Sequence, residues 1–443
     1  MDSPENDEEP SLLYRAVVVG LFLTLMGVVM GVTSPDLADT DLGVVGNELH
    51  LPVIAASSLL YLFILARLFT RPQKMIRAAR EILLFAPIVL FCILSATWSN
   101  DPSVTLRRAL FLLLSTLVGL ILGADFKIAG LVRLFATASL IHILLCAVYF
   151  VLSPHVLHSP SDPHSLKGLT THKNIFGFEQ GLALLAFLLV PFRRFTSLRV
   201  PLTIMAGGLL YLSHSSGALV STAVAVASFP FLLIARFRGT QKIPLTIGAL
   251  AIATAGVSIL VKNATLLPAL LSKDSTLTGR TQLWALVQVA INHHPLLGYG
   301  FDSFWQGLQG DSLTIIRGVG WLVPTAHNGY LDLLLGTGYL GALLFALPTI
   351  QTLFRALRYL TIERTSTKYF PIMFVIFWLI SNLNESDLLT RTGIPLLFCV
   401  SFSAAIGLQI ARARAEARNP LLDQRPSLPF AGTGEMIPGL PSF

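Results

Sequence analysis

The chain has 443 residues, 53% of them hydrophobic and only 12% charged, with a mean hydropathy of +0.71. Soluble domains carry about 25% charged residues, so a water-soluble globule of this size is excluded. The net charge of +7 does not indicate nucleic acid, because the basic residues lie in short turns between apolar blocks, where they carry orientation information. Cys92, Cys146 and Cys399 all fall inside apolar blocks, so a disulfide framework is not supported.

A spanning helix needs about 20 apolar residues. Twelve segments qualify: 14–32, 51–69, 82–97, 108–123, 129–152, 175–192, 200–213, 216–234, 244–261, 328–354, 369–384 and 393–411. This predicts an all-α polytopic membrane domain over 14–411. Residues 1–13 and 412–443 read as disordered cytoplasmic ends. The opening MDSPENDEEP is acidic where a signal peptide is basic, so the first span is expected to be retained.

Arg71, Lys74, Arg77 and Arg80 fall in one turn, Arg193, Arg194 and Arg199 in another, and Arg236, Arg238 and Lys242 in a third. Arg355, Arg358, Arg364, Lys368, Arg412, Arg414 and Arg418 fall on the same side when spans alternate. The positive-inside rule then puts both termini in the cytoplasm and the long segments 153–174 and 262–326 outside.

Span 200–213 is short, so the turn Ser213-His214-Ser215-Ser216-Gly217 is expected below the outer surface. Polar backbone is tolerated there only when it lines a cavity or is buried in protein. In the long loop, Leu283, Trp284, Val287 and Ile291 recur at helical spacing, which predicts a helix lying on the membrane surface, ended by Pro295.

Every histidine but His142 falls in an outer segment, so chemistry is expected there. His172-Lys173-Asn174 and His327-Asn328 each open a span, and Thr278-Gly279-Arg280 opens the surface helix. Helix N-termini attract anions, and Arg adds a bidentate fork suited to phosphate. Lys173, Arg280 and His327 together suggest an outward-facing diphosphate site. The plainer alternatives are helix caps, a snorkelling Lys173 and a turn histidine at His214. His155, His158 and His164 have loose metal-like spacing without a carboxylate motif, and Asp39-Thr40-Asp41 is a tripeptide common by chance. Glu179 and Asp332 lie inside spans, where an ionisable group is costly and faces a partner or a cavity. Glu385 sits at the last outer turn with Asn382, Asn384 and Asp387.

The segments LTGRTQLW, HHPLLGYGFDSFW and AHNGYLDLLLGTGYLG, in this order and spacing, resemble the signature of the O-antigen ligase-like family of bacterial membrane glycosyltransferases. ATWSNDPSVTLRRAL, GLTTHKNIFG and NLNESDLL resemble its exopolysaccharide-polymerase branch, of the succinoglycan type. The resemblance covers roughly residues 90 to 400. It implies a polytopic GT-C-like glycosyltransferase of the inner membrane. Its site would be periplasmic, and its partners a polyprenyl-diphosphate-linked oligosaccharide, a growing glycan acceptor, and flippase and chain-length regulator proteins. It further implies that Arg280 contacts the diphosphate and that His327 is the histidine of the long loop. Lys173, Asn174, His172, Asn328, His214, Ser216, Glu385 and Tyr299 are the expected substrate-binding residues. The family often carries a basic residue after the Ser of the sunken turn, where this chain has Ser216; His214 or Lys173 would substitute.

Chemically, a diphosphate leaves readily once its charge is neutralised, while a sugar hydroxyl needs a base. His327 is the expected base, and Arg280 the stabiliser of the departing group. Nothing in the sequence demands a metal or other cofactor, and no P-loop is present. Ligation to a lipid or protein acceptor is the alternative within the same chemistry. A transporter is the alternative of a different class, but the sequence has no internal repeat of the kind two-half transporters show.

Overall fold

The computed structural model describes residues 10–33, 51–160, 162–190, 196–234, 279–389 and 393–418. The acidic N-terminus before Pro10, Asp39 and Asp41, the expected span 244–261, the loop up to Thr278 and the tail beyond Arg418 lie outside them.

The chain is mostly helical. The described helices that matter for the site are α1 (Leu12–Leu25), α2 (Pro52–Thr70), α3 (Pro72–Glu81), α4 (Leu83–Thr97), α5 (Pro102–Asp125), α6 (Ile128–Leu152), α7 (Lys173–Leu189), α8 (Arg199–Leu212), α9 (Ser216–Ile234), α10 (Arg280–His293), α11 (Gly310–Val319), α12 (Gly329–Ile362), α13 (Phe370–Ser381) and α14 (Ile394–Arg418). Six of them, α2, α5, α6, α9, α12 and α14 (the last over Ile394–Ala415), are long and apolar enough to cross a membrane. The pair α3 and α4, bent by 67°, would make a seventh. Among the described residues, helix occupies the other expected span positions, but α1, α8 and the helix ending at Ser381 are shorter. The chain is an integral membrane protein.

Three expectations change. The 153–174 segment contains a small antiparallel hairpin, β1 (His158–Ser159) with β2 (Asp162–Leu166), so the fold is not purely α. A search for apolar blocks does not detect strands this short. The last helix continues to Arg418, past the expected end at 411, because ARARAEAR favours helix without needing an apolar environment. Helix α10 forms as its periodicity predicts, but its apolar stripe does not face lipid. Leu283, Val287 and Ile291 are fully buried in a second, smaller core with Tyr299, Phe304, Ile315, Val323 and Leu335. Helix α11 supplies the cover through Ile315 and Ile316.

Helix α12 has 34 residues. At about 1.5 Å per residue it would be roughly 51 Å long, well beyond a hydrocarbon core of about 30 Å. It breaks at Gly338, where φ is 62°. The groups freed by the break are taken up by the segment 295–299. Tyr339 and Leu340 N–H donate to the Pro295 and Leu296 carbonyls (2.8 and 3.1 Å), and Tyr299 N–H donates to the Leu335 carbonyl (2.8 Å). A Cβ at Gly338 would lie 2.6 Å from Leu297 N, and one at Gly298 2.6 Å from Thr337 N. The same segment is strapped to the start of α5. Trp98 Nε1 donates to the Leu297 carbonyl (3.3 Å), and Phe301 N–H to Ser95 Oγ (2.9 Å). Ser99 Oγ donates to Ser303 Oγ (2.9 Å), and Asp101 caps α5 by accepting from Val104 N–H (3.1 Å). Three of the sequence motifs, ATWSNDPS, HHPLLGYGFDSF and GTGYLG, are therefore parts of one joint.

The far end of α5 carries buried charge. Arg67 and Lys74 reach Asp125 at 3.1 and 3.3 Å, and nearby Arg355 reaches Glu81 at 2.6 Å. These pairs mark the end of the bundle opposite the joint.

Gly338→Ala is expected to lower thermal stability sharply, since both the positive φ and the space require glycine; such strain costs of order 1–3 kcal/mol. Gly208→Ala, in α8 with nothing within 4 Å of its added Cβ, is expected to be neutral or stabilising. Thermal unfolding of the two variants in lipid nanodiscs checks the contrast, and equal shifts would contradict it.

Candidate functional site

Four helices begin close together: α7 at Lys173 after His172, α9 at Ser216, α10 at Arg280 and α12 at Gly329 after Asn328. The loop 382–388 joins them. Arg280 Nη1 donates to the Asn384 carbonyl (3.1 Å), and Gly329 N–H donates to the Asn382 carbonyl (2.9 Å). Gly217 lies against the Asn384 side chain. On its other side the turn before α9 packs against α7, where a Cβ on Gly177 would be 2.7 Å from Ser213 Oγ. Ser213 and Ser215 are buried, so the turn is indeed enclosed by protein. Helix N-termini present unsatisfied N–H groups and the positive end of the dipole, so their convergence with Arg280 forms an electropositive focus.

His327 stands at this focus with φ at 47°, its N–H donating to Thr325 Oγ1 (3.2 Å) and its ring stacked on Trp321 with centroids 6.0 Å apart. Burial, then the positive field of Arg280, holds its imidazole down at about 4. The ring is therefore neutral at ordinary pH and able to accept a proton. His172 caps α7 by accepting the Asn174 N–H at Nδ1 (3.1 Å), which assigns its own proton to Nε2, a donor.

One carboxylate fixes this arrangement. Asp332, on the first turn of α12, accepts from both the Ala326 N–H (3.0 and 3.1 Å) and Trp305 Nε1 (2.7 Å). It also accepts from Ser386 Oγ. It thereby ties the His327 loop and the Asn384 loop to one helix.

The other expected residues divide. Ser216 and Glu385, half-buried, belong to the turn and the loop that meet at Arg280. Asn174 lies in the first turn of α7. Asn328 is a cap, its side chain accepting from Tyr330 and Leu331 N–H (3.1 and 3.3 Å). Lys173 is turned to the hairpin, where its Nζ meets Asp162 at 2.7 Å and holds that carboxyl below its ordinary range. His214, with φ at 52°, sets its ring edge-on to Tyr211. Tyr299 lies in the smaller core, its hydroxyl donating to the Ala290 carbonyl (3.0 Å), so it supports α10 from behind. Trp321, Ser386 and the Asn384 carbonyl were not singled out by the sequence: a loop tryptophan, a serine and a backbone oxygen carry no periodic or motif signal. Among the described residues, no group of three or more His, Cys, Asp or Glu side chains is placed to hold a metal.

Next to the cationic focus lies a cavity of about 410 Å³, whose wall includes Thr325, Trp305, Asp332 and Asp387. Burial pushes the Asp387 carboxyl up to about 6.

An ordinary imidazole titrates near 6.5, so between there and about 4 the unfolded chain takes a proton at position 327 that the folded chain refuses. The stability contributed by the neutral ring is complete above that window and is lost as pH falls through it. His327→Asn is expected to flatten this acid limb in thermal unfolding curves between pH 6.5 and 4. At pH 7.5, His327→Gly is expected to be more stable than His327→Ala by about 1 kcal/mol, because glycine suits the left-handed backbone.

Comparison with known proteins meets these residues directly. Residues 201–346 match the family model described as O-Antigen ligase. The chain is also 26% identical over 294 residues to "Exopolysaccharide production protein ExoQ" of Rhizobium meliloti (strain 1021), a match covering 63% of this chain and 66% of that protein. The stretch 201–346 that is similar to this family includes the enclosed turn, Arg280, His327 and the break in α12.

Proposed function

We propose that this chain transfers glycan from a polyprenyl-diphosphate-linked oligosaccharide to a hydroxyl of a growing glycan, polymerising repeat units of the exopolysaccharide or O-antigen type. The observation that carries this reading is a neutral histidine, His327, held within the field of Arg280 where four helices begin. Cation and helix ends suit a diphosphate, and the neutral ring suits a hydroxyl proton.

In the proposed reaction the acceptor hydroxyl attacks the anomeric carbon, and the bond from that carbon to the phosphate oxygen breaks. The hydroxyl proton passes to His327, and the polyprenyl diphosphate leaves against Arg280 and the His172 Nε2–H. The bound diphosphate opposes the field of Arg280, so His327 becomes a stronger base when the donor is in place. The name of the ExoQ relative supports polymerisation. The family description supports ligation to another acceptor as the second reading. Both place the same groups around the donor.

The surroundings of this reaction are part of the proposal: a bacterial inner membrane, about twelve spans in a GT-C-like arrangement, both termini cytoplasmic and the site periplasmic. Flippase and chain-length proteins are the proposed partners. The basic turns support this orientation, since Lys74, Arg67 and Arg355 lie at the end of the bundle opposite Arg280 and His327.

With purified protein in lipid and a synthetic polyprenyl-diphosphate glycan, Arg280→Ala is expected to lower turnover about 100-fold to 1000-fold. Arg280→Lys is expected to recover part of this, since it restores charge without the planar fork. His327→Ala is expected to leave donor affinity intact while slowing the chemical step, with the smallest effect at high pH, where the acceptor needs less help. Full activity in His327→Ala would defeat the assignment. A reporter fused after Lys242 is expected to read cytoplasmic and one inserted near Asp311 periplasmic; the reverse pattern would separate the site from its donor.

A further inference from the structure

The cavity beside the cationic focus belongs to the proposed reaction, and a second one, of about 440 Å³, opens at the other end of the bundle. Its size falls within the usual range for small-ligand sites, about 300–1,000 Å³. Positions far apart in the chain converge on its wall: Arg15 of α1, Lys74 of α3, Lys127 just before α6, Arg133 on α6 and Arg412 on α14. The positive-inside rule accounts for basic residues at this end, but it does not require four helices to aim theirs at one cavity. Asp125 is the one carboxylate that the described residues add to this wall, and Arg67 and Lys74 already match it at 3.1 and 3.3 Å. Lys127 and Arg133 are exposed and meet no carboxylate among the described residues. Arg15 is fixed on α1 by its Nε, which donates to the Pro10 carbonyl (2.8 Å). Ala129 and Gly130, in the first turn of α6, also line the cavity, and Lys127 at the cap position makes no side-chain bond to that turn. The positive end of a 25-residue helix therefore adds to the field of the side chains. The wall changes character with depth. One turn farther into the bundle Leu134 follows Gly130 on α6 and Leu408 precedes Arg412 on α14, so apolar surface lies beneath the cations.

We infer that this cavity is a second phosphate site, and that it holds the headgroup of an anionic phospholipid. Cations beside a helix N-terminus suit a phosphate ester, free or in a lipid. The apolar surface beneath them suits acyl chains, which favours the lipid, and basic pockets between spanning helices take such headgroups. A phosphate bound here would offset the mutual repulsion of the cations and hold α1, α6 and α14 together. No residue of this wall belongs to the candidate donor site, so the inference stands apart from the transferase reading.

The test titrates the full chain, purified in detergent, with dioleoyl phosphatidylglycerol and with dioleoyl phosphatidylcholine, which has the same chains and no net charge. Native mass spectrometry counts the lipids bound. Phosphatidylglycerol is expected to bind at least about tenfold tighter. Lys127→Gln combined with Arg133→Gln is expected to weaken it about tenfold to thirtyfold. Arg358→Gln combined with Arg364→Gln removes the same charge from exposed positions outside the cavity, and is expected to change the affinity less than about twofold. Arg412→Gln, on a different helix, is expected to weaken phosphatidylglycerol binding as well and serves if the first double variant does not fold. Equal affinity for the two lipids overturns the inference. So does an equal loss in the two double variants, the result expected of general surface charge. Excess soluble glycerophosphoglycerol, the same headgroup without chains, is expected to leave the lipid bound; displacement would overturn the choice of a lipid over a free phosphate ester. Phosphatidylglycerol binding seen only after Glu8 and Glu9 are both changed to Gln would also overturn the inference, because the chain's own acidic segment would then be the occupant.

Discussion

A helix of 34 residues cannot stand upright in a bilayer, and the break at Gly338 resolves the mismatch. Everything around the site depends on how that break is satisfied. A backbone interrupted at this depth needs partners, and the segment 295–299 provides them from outside the helix. The portion of α12 before the break is then free to end in the loop that holds His327. Its Asp332 gathers that loop and the one bearing Asn384 onto a single turn of helix. A backbone defect in the fold is thus what positions the candidate site.

Strain collects in the same place. Among the described residues the non-glycine positions with positive φ are His214, Asp302 and His327. One belongs to the enclosed turn, one to the cavity wall and one to the cationic focus. Such conformations persist only where surrounding contacts over-determine them. At His327 the determinants are visible: the Thr325 hydroxyl, the Trp321 ring and the Asp332 carboxylate on the preceding Ala326 N–H. The ring is held by the fold before any substrate arrives, and this preorganisation is what electrostatic catalysis requires.

The helical positions were legible because lipid demands uninterrupted apolar length, and Arg280, His172 and His327 were legible because each opens a helix beside a polar loop. Their convergence was not. It depends on backbone carbonyls such as those of Asn382 and Asn384, which every residue possesses and no sequence advertises. The sequence also misled where one pattern fits two environments. The stripe of Leu283, Val287 and Ile291 would suit a membrane surface or a protein core equally, and only the presence of α11 decides between them. Lys173 reads as a phosphate ligand by position, yet Asp162 takes its charge through a hairpin too short to foresee. Glu179 and Asp332 announced themselves as costly, but cost alone did not say that one is bonded on all sides and the other is not.

The strap between Trp98 and Leu297 joins positions 199 residues apart. During synthesis the first membrane helices are made long before the segment that completes the joint emerges, and closing so long a loop carries an entropic delay. The early helices must therefore wait in the bilayer with the Trp98 indole unmatched, and α12 cannot settle around Gly338 until the joint closes. The candidate site thus forms late, and a chain halted before residue 300 can have its earlier helices inserted and still have no site.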